Sequence, residues 1–208
     1  VVKQLDGRFA RRVDGSLFAI SQLALAISNM PGTITNGNTP QGIFTINGKG
    51  TTKNVFMGPT PFLVSALPVE VPVGEYFHDA ARDQEKWTPG AYDAMLPTTW
   101  KNYFPIHEAW YAGLAGRSEI LIHGTTIDPN FTKGEPYYPG TPSLGCLCAF
   151  EAWSPIDGKL IASDQWGLLE MFANVPNQEG YLVVINIDAQ ERPVTLYDVL
   201  PDLLKAEK

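Results

Sequence analysis

The sequence predicts one mainly β domain with a few short helices, and three observations carry that reading. Short runs of β-favouring residues recur between turn signals. Gly (19) and Pro (17) are both frequent, so the chain turns often and long helices should be few. The run "EILIHG" (119–124) is nearly continuous in apolar residues, as expected of a strand buried on both faces. With 208 residues, 44% hydrophobic and 18% charged, the chain suits a single domain spanning 1–208. No repeat, low-complexity tract, like-charge run or dividing linker is apparent.

The first expected strand is Leu23 to Ser28, where Leu23, Leu25 and Ile27 alternate with smaller residues before the turn "NMPG". "GIFTING" follows the turn cluster "TNGNTPQG" and closes at Gly48 and Gly50. "NVFMG", "PFLVSALPVEV", "EILIHG", "GCLCAF" and "GYLVVINID" complete the strands. "PIHEAWYAGLAG" reads as a helix with Pro105 in its first turn and a stop near Gly113 or Gly116. "SDQWGLLEMFANV" reads as a second, capped by Ser163 or Asp164, with Trp166, Leu169, Phe172 and Ala173 on one face. "LYDVLPDLLKAEK" reads as a short helix or a frayed tail. The stretch "RRVDGSLFAISQLALAIS" imitates an export signal. Asp14, Gly15, Ser21 and Gln22 interrupt it and it is too short to span a bilayer, so it reads as a strand. The start at Val1 rather than Met reads as a mature or trimmed form, with any export signal upstream.

The net charge is −7, and the 15 Lys and Arg residues are scattered. A duplex-binding surface needs clustered basic residues to displace counterions, so nucleic acid is not an expected partner. Two cysteines in C-x-C spacing match neither a disulfide framework nor a zinc module, and no metal or organic cofactor is expected.

The three histidines and two cysteines leave few candidates for chemistry, and one of each lies in a single stretch. His123 ends a buried strand, Gly124 lets the backbone turn, and "SLGC" leads into another apolar strand. A cysteine nucleophile works as its thiolate, and an imidazole within reach can take the thiol proton and return it to a leaving amine. Gly145 before Cys146 would let the amides of residues 145 and 146 point at a developing oxyanion. Every histidine precedes Cys146, which argues against papain-like peptidases, where the cysteine comes first.

"IHGT" followed by "S-x-G-C-L" resembles the signature of L,D-transpeptidase catalytic domains of the YkuD type. Thr39-Pro40-Gln41-Gly42-Ile43-Phe44-Thr45-Ile46 is similar to that family's T-P-x-G-x-F-x-I segment, and "SDQWGLLEMFANVPNQEGYLVVI" to its closing helix, turn and strand. The resemblance covers about residues 20–188, leaving 1–19 as an N-terminal extension and 189–208 as a C-terminal tail. It implies a β-sandwich with a few short helices, located outside the cytoplasm in the periplasm or cell envelope. It implies Cys146 as nucleophile, His123 as base, the Gly124 carbonyl holding the imidazole, and the Gly145 amide in the oxyanion hole. Peptidoglycan stem peptides would be the partner, and no protein partner is implied. Cys146 would form a thioester with loss of the terminal D-alanine, resolved by the amine of a second stem.

Three departures from the family pattern stand out. Leu144 replaces the histidine of S-H-G-C, and Cys148 replaces the arginine two residues on. The stretch between His123 and Ser143 is longer than the common spacing, and its "PYYPG", with Tyr137 and Tyr138, reads as a lid. Ser143, Leu144, Cys148, Tyr137 and Tyr138 are thus the expected substrate-binding set. Rival readings exist for several of these residues. His107 in "PIHEAW" is an alternative base, and His78 reads as a surface residue. Cys148 is either a packing residue or a redox partner of Cys146. Trp87, Trp100, Trp110, Tyr137 and Tyr138 line a groove or simply pack. Water in place of the second stem would make the protein an L,D-carboxypeptidase or amide hydrolase. A catalytically silent peptidoglycan-binding domain is the reading from a different class.

Overall fold

Alternation of apolar runs with Gly, Pro and Asn turns gives seven strands and five α-helices among the described residues. The computed structural model describes residues 1–54, 57, 59–126, 143–154, 156–157, 159–190 and 192–206. The strands are β1 (Gln22–Leu23), β2 (Gly42–Gly50), β3 (Phe62–Ala66), β4 (Ile122–Thr126), β5 (Leu147–Trp153), β6 (Leu160–Ser163) and β7 (Glu179–Val184). The helices are α1 (Val73–Phe77), α2 (Pro89–Asp93), α3 (Glu108–Leu114), α4 (Asp164–Phe172) and α5 (Leu196–Ala206).

All seven strands join one sheet in the order β1-β5-β4-β3-β2-β7, with β6 also on β5, and the sheet curls into a half-barrel. The expected sandwich needs a second sheet packed face to face, and the described strands do not form one. Helices cover the apolar surface instead. Phe44 and Ile46 of β2, Leu63 of β3 and Ile122 of β4 pack in one buried cluster with Ala109 and Ala112 of α3 and Leu168 of α4. The pairings are antiparallel except for β4 with β5, which run parallel. Parallel neighbours need a long return connection, and the chain between Thr126 and Leu147 is long enough to supply it.

Several elements depart from expectation. The strand expected over Leu23–Ser28 pairs with β5 only at Gln22 and Leu23. Loop residues then take its backbone groups: Asn38 Oδ1 accepts from Ala26 N (2.8 Å), and the Ser143 carbonyl from Ile27 N (3.0 Å). β6, α1 and α2 were not expected. In "NVFMG", Val55, Phe56 and Gly58 lie outside the described residues. The second helix is capped by Ser163, whose Oγ accepts from Trp166 N, but it buries Gln165 and Leu168 and leaves Trp166 47% exposed. Two carbonyls explain that rotation, because Gln165 Nε2 donates to Pro61 O (3.1 Å) and Ile122 O (3.0 Å).

A short repeat is also present, contrary to expectation. Asp6-Gly7 and Asp14-Gly15 make successive hairpin turns, in which each aspartate accepts from the amide two residues on. Ala10 N donates to Val2 O and Phe18 N to Ala10 O, so the chain advances by eight residues per turn. Val2, Ala10 and Phe18 consequently fall on one line and enter the main core together.

A second cluster holds Ile43, Tyr92, Leu96, Ile106 and Trp110, with Trp87 and Trp100 packed against it. The three tryptophans therefore serve packing, and Trp87 Nε1 also donates to Val71 O (2.7 Å). Two buried tyrosines fix the start of β2 from either side. Tyr92 Oη accepts from Ile43 N (2.9 Å) and donates to Ile106 O (2.7 Å), while Tyr76 Oη donates to Ile43 O (2.6 Å). No described helix is long and apolar enough to cross a membrane. Removing the Tyr92 hydroxyl strands a buried amide and a buried carbonyl. Tyr92→Phe is expected to cost about 1–3 kcal/mol, read as a lowered urea midpoint with an unchanged slope.

Candidate functional site

β4 and β5 meet in register, with Ile122 opposite Leu147 and His123 opposite Cys148. His123 is 4% exposed. Its Nδ1 lies 3.0 Å from Gly124 O. A carbonyl only accepts, so Nδ1 carries the proton and Nε2 of the neutral ring is the free base. Burial lowers the His123 pKa below its ordinary 6.5; the bond to Gly124 and the charge of Glu151 oppose this less strongly. The ring is thus held neutral, in one tautomer, near pH 7.

Nε2 faces a thiol, and it is not the expected one. Cys148 Sγ is 3.6 Å from Nε2, and Cys148 is 1% exposed. Cys146 is half-buried, accepts from Leu121 N (3.4 Å) and donates to Glu119 O (3.4 Å). Among the described residues, no hydrogen bond joins Cys146 to His123. The register explains this, since Cys148 sits directly opposite His123 and Cys146 lies one step before the ladder begins. Burial raises the pKa of both thiols, and that of Cys148 is pushed up to about 12. Cys148 was expected to touch substrate, but its burial puts it behind the site. Both cysteines are free thiols.

The turn before β5 is tied down on several sides. Ser143 Oγ accepts from Gly145 N (3.0 Å) and donates to Cys146 O (3.2 Å). This occupies the Gly145 amide, which was expected to stabilise an oxyanion. Thr39 Oγ1 donates to Gly145 O (2.7 Å), so the "TPQG" segment braces the turn. Gln41 N, two residues further on, donates to Glu108 of α3 (3.0 Å). Leu144 is 61% exposed and presents an apolar surface beside Cys146, as does the exposed Ile27.

Three residues were missed by the sequence reading. Arg117 is buried and donates to the carbonyls of Gly32, Gly37, Asn38 and Leu144. Glu119 accepts the Cys146 thiol through its carbonyl. Glu151 is fully buried, accepts from Ser163 Oγ and Trp153 Nε1, and lies against Gly124, where an added Cβ would fall 2.2 Å from its Cδ. A carboxylate inside the apolar run "CLCAFEAW" was a legible signal for Glu151; nothing comparable marks Arg117.

The other histidines do different work. His107 Nε2 pairs with Asp93 (2.9 Å) and Nδ1 lies 3.3 Å from Phe104 O, which leaves neither nitrogen free to serve a cysteine. His78 was expected at the surface but is half-buried, its Nε2 near Thr45 Oγ1 (3.1 Å) and Gly180 O (3.2 Å). It lines a separate open pocket with Glu75, Asp79, Asp83 and Glu179. Tyr137 and Tyr138 lie outside the described residues. No group of three or more metal-ligating side chains occurs among the described residues.

No family model, curated protein or solved structure matches the chain.

The lowered His123 pKa links stability to pH. The unfolded chain takes up the proton at the ordinary His value, and the folded chain only at lower pH. Stability from this group is therefore full above pH 6.5 and is lost as pH falls below it. The thermal midpoint should fall between pH 6.5 and 5, and His123→Gln should flatten that part of the profile.

Proposed function

We propose that the protein is a cysteine-dependent acyltransferase acting on peptidoglycan stem peptides, an L,D-transpeptidase, with Cys146 as nucleophile and His123 as base. The observation that carries the reading is the His123 tautomer. With Nδ1–H on the Gly124 carbonyl, the basic Nε2 faces β5 at Cys148, and Cys146 lies two residues before Cys148 in the chain. Of the two thiols, the half-buried Cys146 is the one a substrate can reach. The resemblance of "IHGT", "S-x-G-C-L" and "TPQGIFTI" to the family motifs supports the substrate class, and with it a location in the periplasm or cell envelope. A sandwich of the family type belongs to the same reading.

The resting pair is neutral, because burial lowers the imidazole and raises the thiol. Nucleophile and base then act by general-base transfer rather than as a preformed ion pair. His123 swings from Cys148 to Cys146 and takes the thiol proton at Nε2 as sulfur attacks the carbonyl before the terminal D-alanine. The Cys146 amide is the oxyanion donor that this turn leaves once Gly145 N is bound to Ser143. The imidazolium returns its proton to the departing D-alanine amine, giving the thioester. A second stem's amine then attacks the thioester carbonyl, losing its proton to His123, and the Cys146 thiol is restored.

Water resolving the same thioester would give an L,D-carboxypeptidase or amide hydrolase. A second reading, a silent peptidoglycan-binding domain, is favoured by one observation: His123 bonds Cys148 and not Cys146. Mass spectrometry of a defined disaccharide-tetrapeptide incubated with the protein separates these outcomes, with Cys146→Ala as control. Cross-linked dimer plus free D-alanine, absent with Cys146→Ala, is expected. D-alanine without dimer means hydrolysis. Substrate left intact by wild type while still bound sinks the catalytic reading in favour of the binder. Activity should follow a bell whose acid limb lies below pH 6.5 and whose alkaline limb lies above pH 9, set by the lowered His123 and the raised Cys146.

A further inference from the structure

Arg117 is 4% exposed and sits in the link between α3 and β4. Its Nη1 donates to Gly32 O and to Asn38 O (2.8 Å), and its Nη2 donates to Gly37 O (2.7 Å) and Leu144 O (3.1 Å). All four partners are neutral carbonyls, and among the described residues no carboxylate pairs with it. Burying a guanidinium without a counter-charge is costly, because carbonyl dipoles replace only part of its hydration. A residue that merely braced a loop could do so without a full charge.

The anion that fits is close by. The turn Leu144-Gly145-Cys146 rests directly on the guanidinium, and a Cβ on Gly145 would fall 2.2 Å from Nη2. Gly145 also has φ +121°, a conformation that favours glycine, so the turn can approach this closely only with glycine there. The charge of Arg117 favours the Cys146 thiolate, against the opposing effects of burial and of Glu119.

We propose that Arg117 is a positioning residue for Cys146: it anchors the turn through Leu144 and supplies the fixed positive charge that stabilises the Cys146 sulfur as an anion. This rests on the reading of Cys146 as the reacting thiol and gives that reading a cation, since the residue two positions after Cys146 is Cys148 and not an arginine.

The test is the pH dependence of Cys146 alkylation by iodoacetamide in the full chain. Peptide-level mass spectrometry separates Cys146 from Cys148. Arg117→Gln should move the midpoint up by about one pH unit, so that alkylation near pH 8 slows about tenfold. Arg117→Lys keeps the charge but loses the planar fork, and should hold the wild-type midpoint. Thr39→Val removes the bond to Gly145 O without touching charge, and should also hold it. An unchanged midpoint in folded Arg117→Gln overturns the proposal, as does an equal shift in Thr39→Val, which would make the effect one of loop shape. Should Arg117→Gln fail to fold by circular dichroism, Arg117→Lys decides: a wild-type midpoint supports the proposal and a raised one overturns it. No cell-wall substrate enters this comparison, so absent turnover on stem peptides would sink the acyl-transfer reading without altering the result here.

Discussion

Parallel pairing of β4 with β5 is the constraint on which the candidate site depends. It sets His123 opposite Cys148 and leaves Cys146 at the mouth of the pair, just before the ladder begins. A slip of one residue would turn every side chain of β5 to the other face and take Cys148 away from the imidazole. The buried residues on either side, Ile122, Leu147 and Ala149, hold the register in place. Antiparallel pairing would have needed only a short hairpin between the two strands. A long stretch of chain between the two strands is thus a structural requirement.

Around that pair the fold arranges polar groups in a largely apolar interior, and those nearest His123 and the cysteine turn have partners that explain them. The Gly124 carbonyl fixes the tautomer of His123, and the missing side chain at Gly124 admits the buried Glu151 carboxylate. Ser143 takes two backbone groups of the turn that carries Cys146, and Thr39 and Arg117 one each. Burial then acts on the two key groups in opposite senses. It disfavours the imidazolium and the thiolate alike, so both groups are held neutral near pH 7. That arrangement keeps a half-buried thiol from reacting indiscriminately. Fixed groups then have to stabilise the charge when it forms.

Much of the fold was legible in the sequence. "GIFTING", "EILIHG", "GCLCAF" and "GYLVVINID" became β2, β4, β5 and β7, because alternation and apolar runs bounded by glycine act over a few residues. Ser163 was legible as a cap for the same local reason. The face of α4 was not, because two distant carbonyls, Pro61 O and Ile122 O, draw Gln165 inward against its polarity. The eight-residue repeat near the N-terminus escaped notice because its two turns share only Asp-Gly and one line of apolar residues.

By itself, the sequence determined which residues have chemistry to offer but not their place: His123, expected at the end of a strand, lies inside β4, which runs on past Gly124 to Thr126. Only the tertiary structure decided which thiol faces His123, since strand register is set by packing of both strands against the core. It alone packed the four central strands against α3 and α4. It alone brought Arg117 against the turn that carries Cys146, because a buried cation is placed by carbonyls from two separate parts of the chain, residues 32–38 and Leu144, and no local pattern in a sequence records such an encounter.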